Sequence, residues 1–486
     1  MRDSFKRGIA YTFLAQLIGV VLLFAAFAIA ARLVSEADLG TFVLLFVAAQ
    51  FLAIVADAGM TSTIVRFLSA EKKEQEEVAS TALGFSLIVA AALSVVVYFV
   101  GALLFPVLGL GVLKEQTATV SLLFFFQYHL GRISAFLQGL HLYRRYAYVQ
   151  VLGPAIRLLL IILLVGFLAM GLEGLIMAAI VSSFVSCLLA YVMMPWRLVP
   201  ALDRGVLKRL LFFGIPLHIN AFLAFIFERA DTVLLGAMAG PVSVATYEVA
   251  YKLPNQVKGF FGAFIAIFFP HVSTYYVKGD PERAEVLLRK CLRLVSFGGA
   301  LGTLAAVLYH REIISLIFSS KYASGGQVFA VLMLGVSIGL CNWLMATALI
   351  ASGRSKATLS TTVPEAAINV GLNLLLIPRW GILGAALASS VSRTAVNPIF
   401  LFFLKKDRLN TMGSYSRSFL CLGLACLMLL MPGSFGIWRD GATVMVFLLL
   451  VPLVKALDVS DIRAILSLLT PSRHEPVSPM GYTTEP

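Results

Sequence analysis

The sequence predicts an all-α membrane protein of about fourteen transmembrane helices, and three observations carry that prediction. The chain has 486 residues, of which 60% are hydrophobic and 13% charged, against about 25% charged in soluble domains. Mean hydropathy is +0.92. Its apolar residues gather into runs that reach the roughly 20 residues needed to cross a bilayer. No run shows the period-2 alternation of a strand, so helices are how these segments satisfy their backbone in lipid. Basic residues between the runs then alternate from one side to the other.

The runs fall at 9–31, 41–62, 80–104, 117–140, 147–170, 174–194, 210–236, 243–270, 291–310, 327–352, 357–377, 381–404, 416–433 and 441–457. Ala28-Ile29-Ala30 imitates a signal cleavage site, but the first run exceeds twenty residues, longer than a signal core, and is expected to be retained. One set of loops and termini holds most of the 38 Lys and Arg, including Arg2, Lys6, Arg7, Lys72, Lys73, Arg144, Arg145, Lys208, Arg209, Arg289, Lys290, Lys405, Lys406 and Arg408. The opposite loops hold Arg32, Lys114, Arg311, Lys321, Arg379 and Arg439. This asymmetry puts the first set, with both termini, in the cytoplasm. The net charge of +13 is thereby accounted for by topology, and nucleic acid is not expected as a partner.

The chain also repeats itself. Tyr146–Ser183 aligns without gaps on Lys356–Arg393, at a separation of 210 positions (364 − 154 for the prolines). Pro154 falls on Pro364, Gly171 on Gly381, Gly174 on Gly384, Ala178 on Ala388 and Ser182 on Ser392. Two parallel six-helix lobes follow, at 1–200 and 201–408, with two extra spans in 409–460 and a polar tail, expected to be disordered, at 461–486. A seam between repeated lobes is where transporters bind substrate, and matched prolines at Pro154 and Pro364 mark candidate hinges or packing bends.

The five cysteines (Cys187, Cys291, Cys341, Cys421, Cys426) are odd in number and dispersed, which indicates neither a disulfide framework nor a zinc site. No metal and no cofactor is expected. The sequence has no phosphate-binding G-x-x-x-x-G-K-[ST] loop, no H-E-x-x-H and no G-x-S-x-G, and the expectation is a non-enzyme. Three G-x-x-x-G steps, Gly236/Gly240, Gly298/Gly302 and Gly335/Gly339, are expected to permit close helix contact.

Eleven ionisable residues lie within the runs. Six are cations (Arg132, Arg157, Arg229, Lys252, Lys258, Arg393) and five are anions (Asp57, Glu228, Asp231, Glu248, Glu365). Each costs roughly 2.5–3.5 kcal/mol at the centre of a membrane helix, so they must face protein partners or a hydrated cavity. Spacings of three and four put polar groups on single helix faces: Glu365/Asn369/Asn373, Ser389/Arg393/Asn397 and Glu248/Lys252/Asn255/Gly259. Two uses remain open: a wet lumen in which the cations hold an anionic headgroup, or internal salt pairing, for which Glu248 and Lys252 have the favoured order.

Ala31-Arg32-Leu33-Val34-Ser35-Glu36-Ala37-Asp38-Leu39-Gly40-Thr41-Phe42 resembles the first outer loop of polysaccharide flippases of the O-antigen type. Ala56-Asp57-Ala58-Gly59-Met60 resembles the end of their second helix. Arg229-Ala230-Asp231-Thr232-Val233-Leu234-Leu235-Gly236 and Ala245-Thr246-Tyr247-Glu248-Val249-Ala250-Tyr251-Lys252 resemble their seventh and eighth helices. Gly171-Leu172-Glu173-Gly174 and Gly381-Ile382-Leu383-Gly384 match the turns after their fifth and eleventh.

That resemblance spans nearly the whole chain. It implies a V-shaped transporter of the multidrug/oligosaccharidyl-lipid/polysaccharide exporter superfamily, in a bacterial inner membrane, that moves undecaprenyl-diphosphate-linked oligosaccharide to the outer leaflet. A cationic lumen would take the diphosphate and an ion gradient would drive the cycle. Arg132, Arg157, Arg229, Lys252, Lys258 and Arg393 are then the candidate substrate-binding residues. Asp57, Glu228, Asp231, Glu248 and Glu365 are the candidate partner or coupling groups. Membrane lipids, a polysaccharide polymerase and a chain-length regulator are the implied partners. The competing expectations are a cation-coupled multidrug exporter of the same architecture and a membrane polymerase or ligase, which the short outer loops disfavour.

Overall fold

The computed structural model describes residues 2–70, 74–195, 199–406, 412–430, 436–458 and 461. Lys72, Lys73, Arg408 and the tail from 462 lie outside the described residues. Every regular element among those described is helical. The principal helices are α1 (Arg2–Leu33), α2 (Glu36–Asp57), α3 (Met60–Ala70), α4 (Gln75–Val107), α5 (Thr117–Gly139), α6 (Tyr143–Leu160) and α7 (Gly171–Val192). They continue as α8 (Arg204–Val277), α9 (Pro281–Ile317), α10 (Gly326–Ala351), α11 (Ser355–Ala395), α12 (Asn397–Lys406), α13 (Met412–Cys426) and α14 (Gly436–Leu453).

Among the described residues, 10 helices are long and apolar enough to cross a membrane. The difference from the sequence runs has a local cause. The 74 residues of α8 hold two runs, separated only by Gly240 at φ 78°, ψ 177°. The α11 helix turns at Gly381 (φ 54°, ψ −129°) and carries the next run on into α12. The runs at 416–433 and 441–457 correspond to the shorter α13 and α14. Gly171 and Gly381, paired by the sequence repeat, both adopt positive φ (55° and 54°), a conformation that costs glycine little.

Contacts divide the chain into two units. The first comprises Met1–Leu253, His310–Phe329 and Ile368–Ser389. In it α1 packs on α6, α4 on α5, and α7 against both α5 and α6, while α2 lies on α5. Its core joins Met60, Ile64 and Leu68 of α3 to Ile133 and Phe136 of α5. The second unit comprises Pro254–Tyr309, Ala330–Ala367 and Ser390–Pro486. One of its cores gathers Cys291 and Leu292 of α9, Cys341 and Leu344 of α10 and Phe400 of α12. Another joins Leu304 to Cys421 of α13 and Phe447 of α14. Large apolar side chains such as Phe99, Leu103 and Phe212 stand exposed on the outside, the surface a lipid-embedded helix presents. The protein is a multi-pass membrane protein.

The Asp57–Met60 segment shows how a break in an apolar run is held. The α2 helix ends at Asp57, and Ala58 and Gly59 turn through positive φ (47° and 74°) before α3 begins. A side chain at Gly59 would collide with the Gly214 carbonyl. Arg132 of α5, 1% exposed, closes the break. It forms an ion pair with Asp57 and donates to Thr61 Oγ1 at 2.6 Å. Thr61 in turn donates to Asp57 at 2.6 Å. Tyr128 lies beneath the guanidinium, 4.5 Å from its ring centroid, and donates to the Ala56 carbonyl at 3.1 Å.

Removing one partner of a buried pair strands the other charge, typically at about 3–5 kcal/mol. Arg132→Met is expected to lower the thermal unfolding midpoint in detergent strongly, and Arg132→Met/Asp57→Leu to recover part of the loss. An Arg132→Met protein that melts with the wild type would show the pair to be dispensable.

Candidate functional site

The first unit contains a cavity of about 230 Å³. Four helices build it. From α1 come Leu23, Ala26, Phe27 and Ala30; from α2 come Phe42, Val43, Phe46, Val47 and Gln50. Helix α6 adds Arg157, the π-helical segment after it adds Ile161, and α8 adds Arg229, Glu248 and Lys252. The start of α2 is fixed by Ser35, whose side chain accepts from the Asp38 N–H at 3.1 Å, with Glu36 and Asp38 in the first turn complementing the helix dipole. On α6, Pro154 interrupts the backbone ladder three residues before Arg157 and the chain continues as a π-helical segment at 161–167. Gly19 of α1 packs where the ladder is interrupted: a Cβ there would sit 2.7 Å from the Gln150 carbonyl, the one that Pro154 leaves without its usual donor.

The cavity is cationic. Arg157 donates to Ser182 and Ser183 at 3.1 and 3.2 Å, both neutral acceptors, and its guanidinium lies 5.1 Å from the Phe46 ring centroid. Lys252 Nζ lies 4.3 Å from the Phe27 centroid. Arg229 is paired with Glu248 at 3.5 Å, and Thr232 also donates to Glu248, at 2.6 Å. Three cations thus share the wall with one carboxylate, and that carboxylate is turned inward: the side chain of Glu248 is 7% exposed, that of Arg229 29%. Glu248, Arg229 and Arg157 all lie within electrostatic reach of Lys252. Such a pocket attracts an anion; apolar and aromatic walls supply the rest of its surface.

Next to Arg229 on α8, Asp231 is buried at 7% exposure in a different arrangement. Its Oδ1 accepts from Asn373 at 2.6 Å and Asn369 at 3.3 Å. Its Oδ2 accepts from Tyr247 at 2.6 Å and from Ser389. All four donors are neutral. The three stripe residues Asn369, Asn373 and Ser389 are therefore committed to one carboxylate and do not line the cationic cavity.

The second unit holds the remaining candidates. Glu365 lies within electrostatic reach of Arg393 and Lys258. The Arg393 backbone carbonyl accepts from Asn342 at 2.8 Å, and the Gly335/Gly339 step lets α10 approach: Cβ atoms there would crowd Ser390 and Arg393. Pro364 lies inside α11, beside Glu365. Of the six predicted cations, then, Arg157, Arg229 and Lys252 meet in one cavity, Arg132 is bound to Asp57, and Lys258 and Arg393 neighbour Glu365. Glu228 is exposed on α8 and is not part of the cavity wall.

A family model described as polysaccharide biosynthesis protein matches residues 29–325, more than half the chain. The chain belongs to this polysaccharide biosynthesis protein family. The matched region contains the whole charged part of the cavity as well as Asp231. A capsular polysaccharide biosynthesis protein of Staphylococcus aureus is 22% identical over 41% of this chain and 50% of its own length. A probable low-salt glycan biosynthesis flippase of Haloferax volcanii is 22% identical over 37% of this chain and 38% of its own. The chain thus spans half or less of the length of these relatives.

Solved structures share the fold of this polysaccharide biosynthesis family member. The lipid II flippase MurJ in an inward closed conformation matches with a TM-score of 0.69 and 17% identity over 92% of this chain and 98% of that one. An inward-facing multidrug resistance transporter of the MATE family matches with a TM-score of 0.65 and 18% identity over 81% and 94%.

The sequence did not single out Phe27, Phe42, Phe46 and Gln50 as wall residues, or Thr232 and Tyr247 as hydrogen-bond partners. In a chain with 36 phenylalanines an aromatic wall carries no sequence signal. Thr232 and Tyr247 could have been found by folding α8 back at Gly240, which brings the 229–232 turn opposite the 247–248 turn.

Proposed function

We propose that this protein is a flippase that carries undecaprenyl-diphosphate-linked oligosaccharide from the inner to the outer leaflet of a bacterial inner membrane for O-antigen, capsule or exopolysaccharide synthesis. The observation that carries the proposal is the cavity wall on which Arg157, Arg229 and Lys252 outnumber Glu248. A diphosphate offers several acceptor oxygens and matches paired guanidinium forks plus an ammonium. Phe27, Phe42 and Phe46 supply flat apolar surface of the kind sugar rings pack against.

The finer architecture belongs to the same proposal. Dividing α8 at Gly240 and α11 at Gly381 and adding α13 and α14 gives fourteen spans, an even number that leaves both termini in the cytoplasm. They fall into two six-span lobes, 1–200 and 201–408, followed by two extra spans. Pro154 and Pro364 serve as matched flexing points. Asp231 is the coupling group: a proton or small cation replaces hydrogen bonds that its four neutral partners now donate, and their amide and hydroxyl oxygens can turn inward to receive it. Lys258 and Arg393, with Glu365, form a second charged group available to the substrate in another state of the cycle. A polysaccharide polymerase and a chain-length regulator would use the product.

Binding by the purified protein separates this reading from a drug exporter. Farnesyl diphosphate is expected to bind, and more weakly as salt rises, because the contact is ionic. Tetraphenylphosphonium is expected not to bind. Phosphonium binding that is lost in Glu248→Gln, with no diphosphate binding, would overturn the assignment in favour of a cation exporter.

A further inference from the structure

The first unit contains a second, larger chamber of about 590 Å³, and its chemistry is opposite to that of the cationic cavity. Leu44 and Phe51 of α2, Val97 and Leu104 of α4, and Phe225 and Val233 of α8 represent its walls. Among the described residues, Arg229 is the one ionisable residue lining it. Small-molecule sites usually enclose roughly 300–1,000 Å³, so this space has room for a segment of an apolar chain. Val47 and Arg229 line both spaces, so the apolar chamber and the cationic cavity adjoin at the arginine. Val96, Val100 and Leu104, half-exposed, also line the chamber, which therefore opens along α4 on the apolar outer surface.

We infer that the chamber between α2, α4 and α8 binds the isoprenoid chain of a polyprenyl phosphate lipid whose phosphate is held at Arg229. The inference rests on the flippase reading for the identity of the lipid. A polyprenyl phosphate joins one long apolar chain directly to an anionic group, and the two spaces offer those environments in the same order. The opening along α4 lets the far end of a chain too long for the chamber continue into the bilayer. A phospholipid, with two chains on a bulkier polar centre, matches a single chamber meeting a single guanidinium less well.

The test is photolabelling of the full chain in nanodiscs of phosphatidylethanolamine and phosphatidylglycerol with a diazirine-bearing undecaprenyl phosphate. Labelled peptides are read by mass spectrometry. Label is expected on segments 44–52 and 93–108, reduced at least about five-fold by excess unlabelled undecaprenyl phosphate and unchanged by added phosphatidylglycerol. Ala48→Trp and Val233→Trp, which fill the chamber from α2 and from α8, are each expected to remove the label. Phe99→Trp places the same bulk on the outward side of α4 and is expected to leave it.

Label that persists in both filled variants, or that phosphatidylglycerol competes away, would overturn the inference. Flipping assays keep the two readings apart. If both filled variants still flip lipid-linked oligosaccharide at the wild-type rate, the chamber assignment fails and the flippase reading stands. If the wild type flips none while competed labelling remains, the flippase reading fails and the chamber is still a polyprenyl phosphate site.

Discussion

Arg229→Ala is expected to weaken binding of a prenyl diphosphate about 10–100-fold, as a charge-assisted hydrogen bond of roughly 1.5–3 kcal/mol would require. Among the three cavity cations Arg229 has the most to lose. Arg157 is engaged by two serines and Lys252 lies against Phe27. Arg229 is anchored to Glu248 through Nη1 while its side chain stays open to the cavity. Glu248 thus holds the guanidinium in place without neutralising the whole wall. Arg229→Lys should recover only part of the affinity, because an ammonium cannot present two parallel donors. Glu248→Gln should raise affinity modestly, since it removes the competing charge and leaves Thr232 an acceptor. Titration calorimetry of the four proteins with farnesyl diphosphate checks the order, and an Arg229→Ala protein that binds as tightly as the wild type would remove Arg229 from the site.

Asp231→Asn is expected to leave headgroup binding within a few fold and to abolish gradient-driven transport. Isolating a carboxylate in a membrane helix costs roughly 2.5–3.5 kcal/mol, and here the cost is met by four neutral donors, with no cation among the described residues bonded to the carboxylate. That arrangement stabilises the charge while leaving it free to accept a proton or a small cation. Asparagine keeps the shape and loses the charge. Its amide N–H₂ can donate to the Tyr247 and Ser389 hydroxyl oxygens once those groups rotate, so the melting temperature should change little while coupling is lost. Transport that stays fully gradient-dependent in Asp231→Asn would remove Asp231 from the coupling role.

The sequence displayed the helices because lipid imposes a length and a composition on them, and α1, α2 and α4 need nothing more. It displayed the breaks where glycine permits them: Gly171 and Gly381 stand in register in the repeat and turn alike. What it could not display was which charge meets which. Arg132 finds Asp57 at a separation of 75 residues. Glu248 and Lys252 have the spacing of a helix ion pair, yet Glu248 bonds Arg229 and Thr232 while Lys252 lies over Phe27. Such partnerships depend on how helices are rotated about their axes, and packing sets that rotation, not local spacing. The polar stripe on α11 was visible; its convergence on Asp231 was not, because a stripe reports a face and not its partner.

The most direct measurement is flipping of a fluorescent undecaprenyl-diphosphate oligosaccharide in proteoliposomes, with wild type beside Arg157→Ala/Arg229→Ala. The expected result is protein-dependent flipping by the wild type and none by the double variant, with both proteins folded and inserted alike. Undiminished flipping by the double variant would contradict the cationic cavity as the headgroup site, and no flipping by the wild type, with gradient-driven efflux of organic cations instead, would contradict the flippase itself.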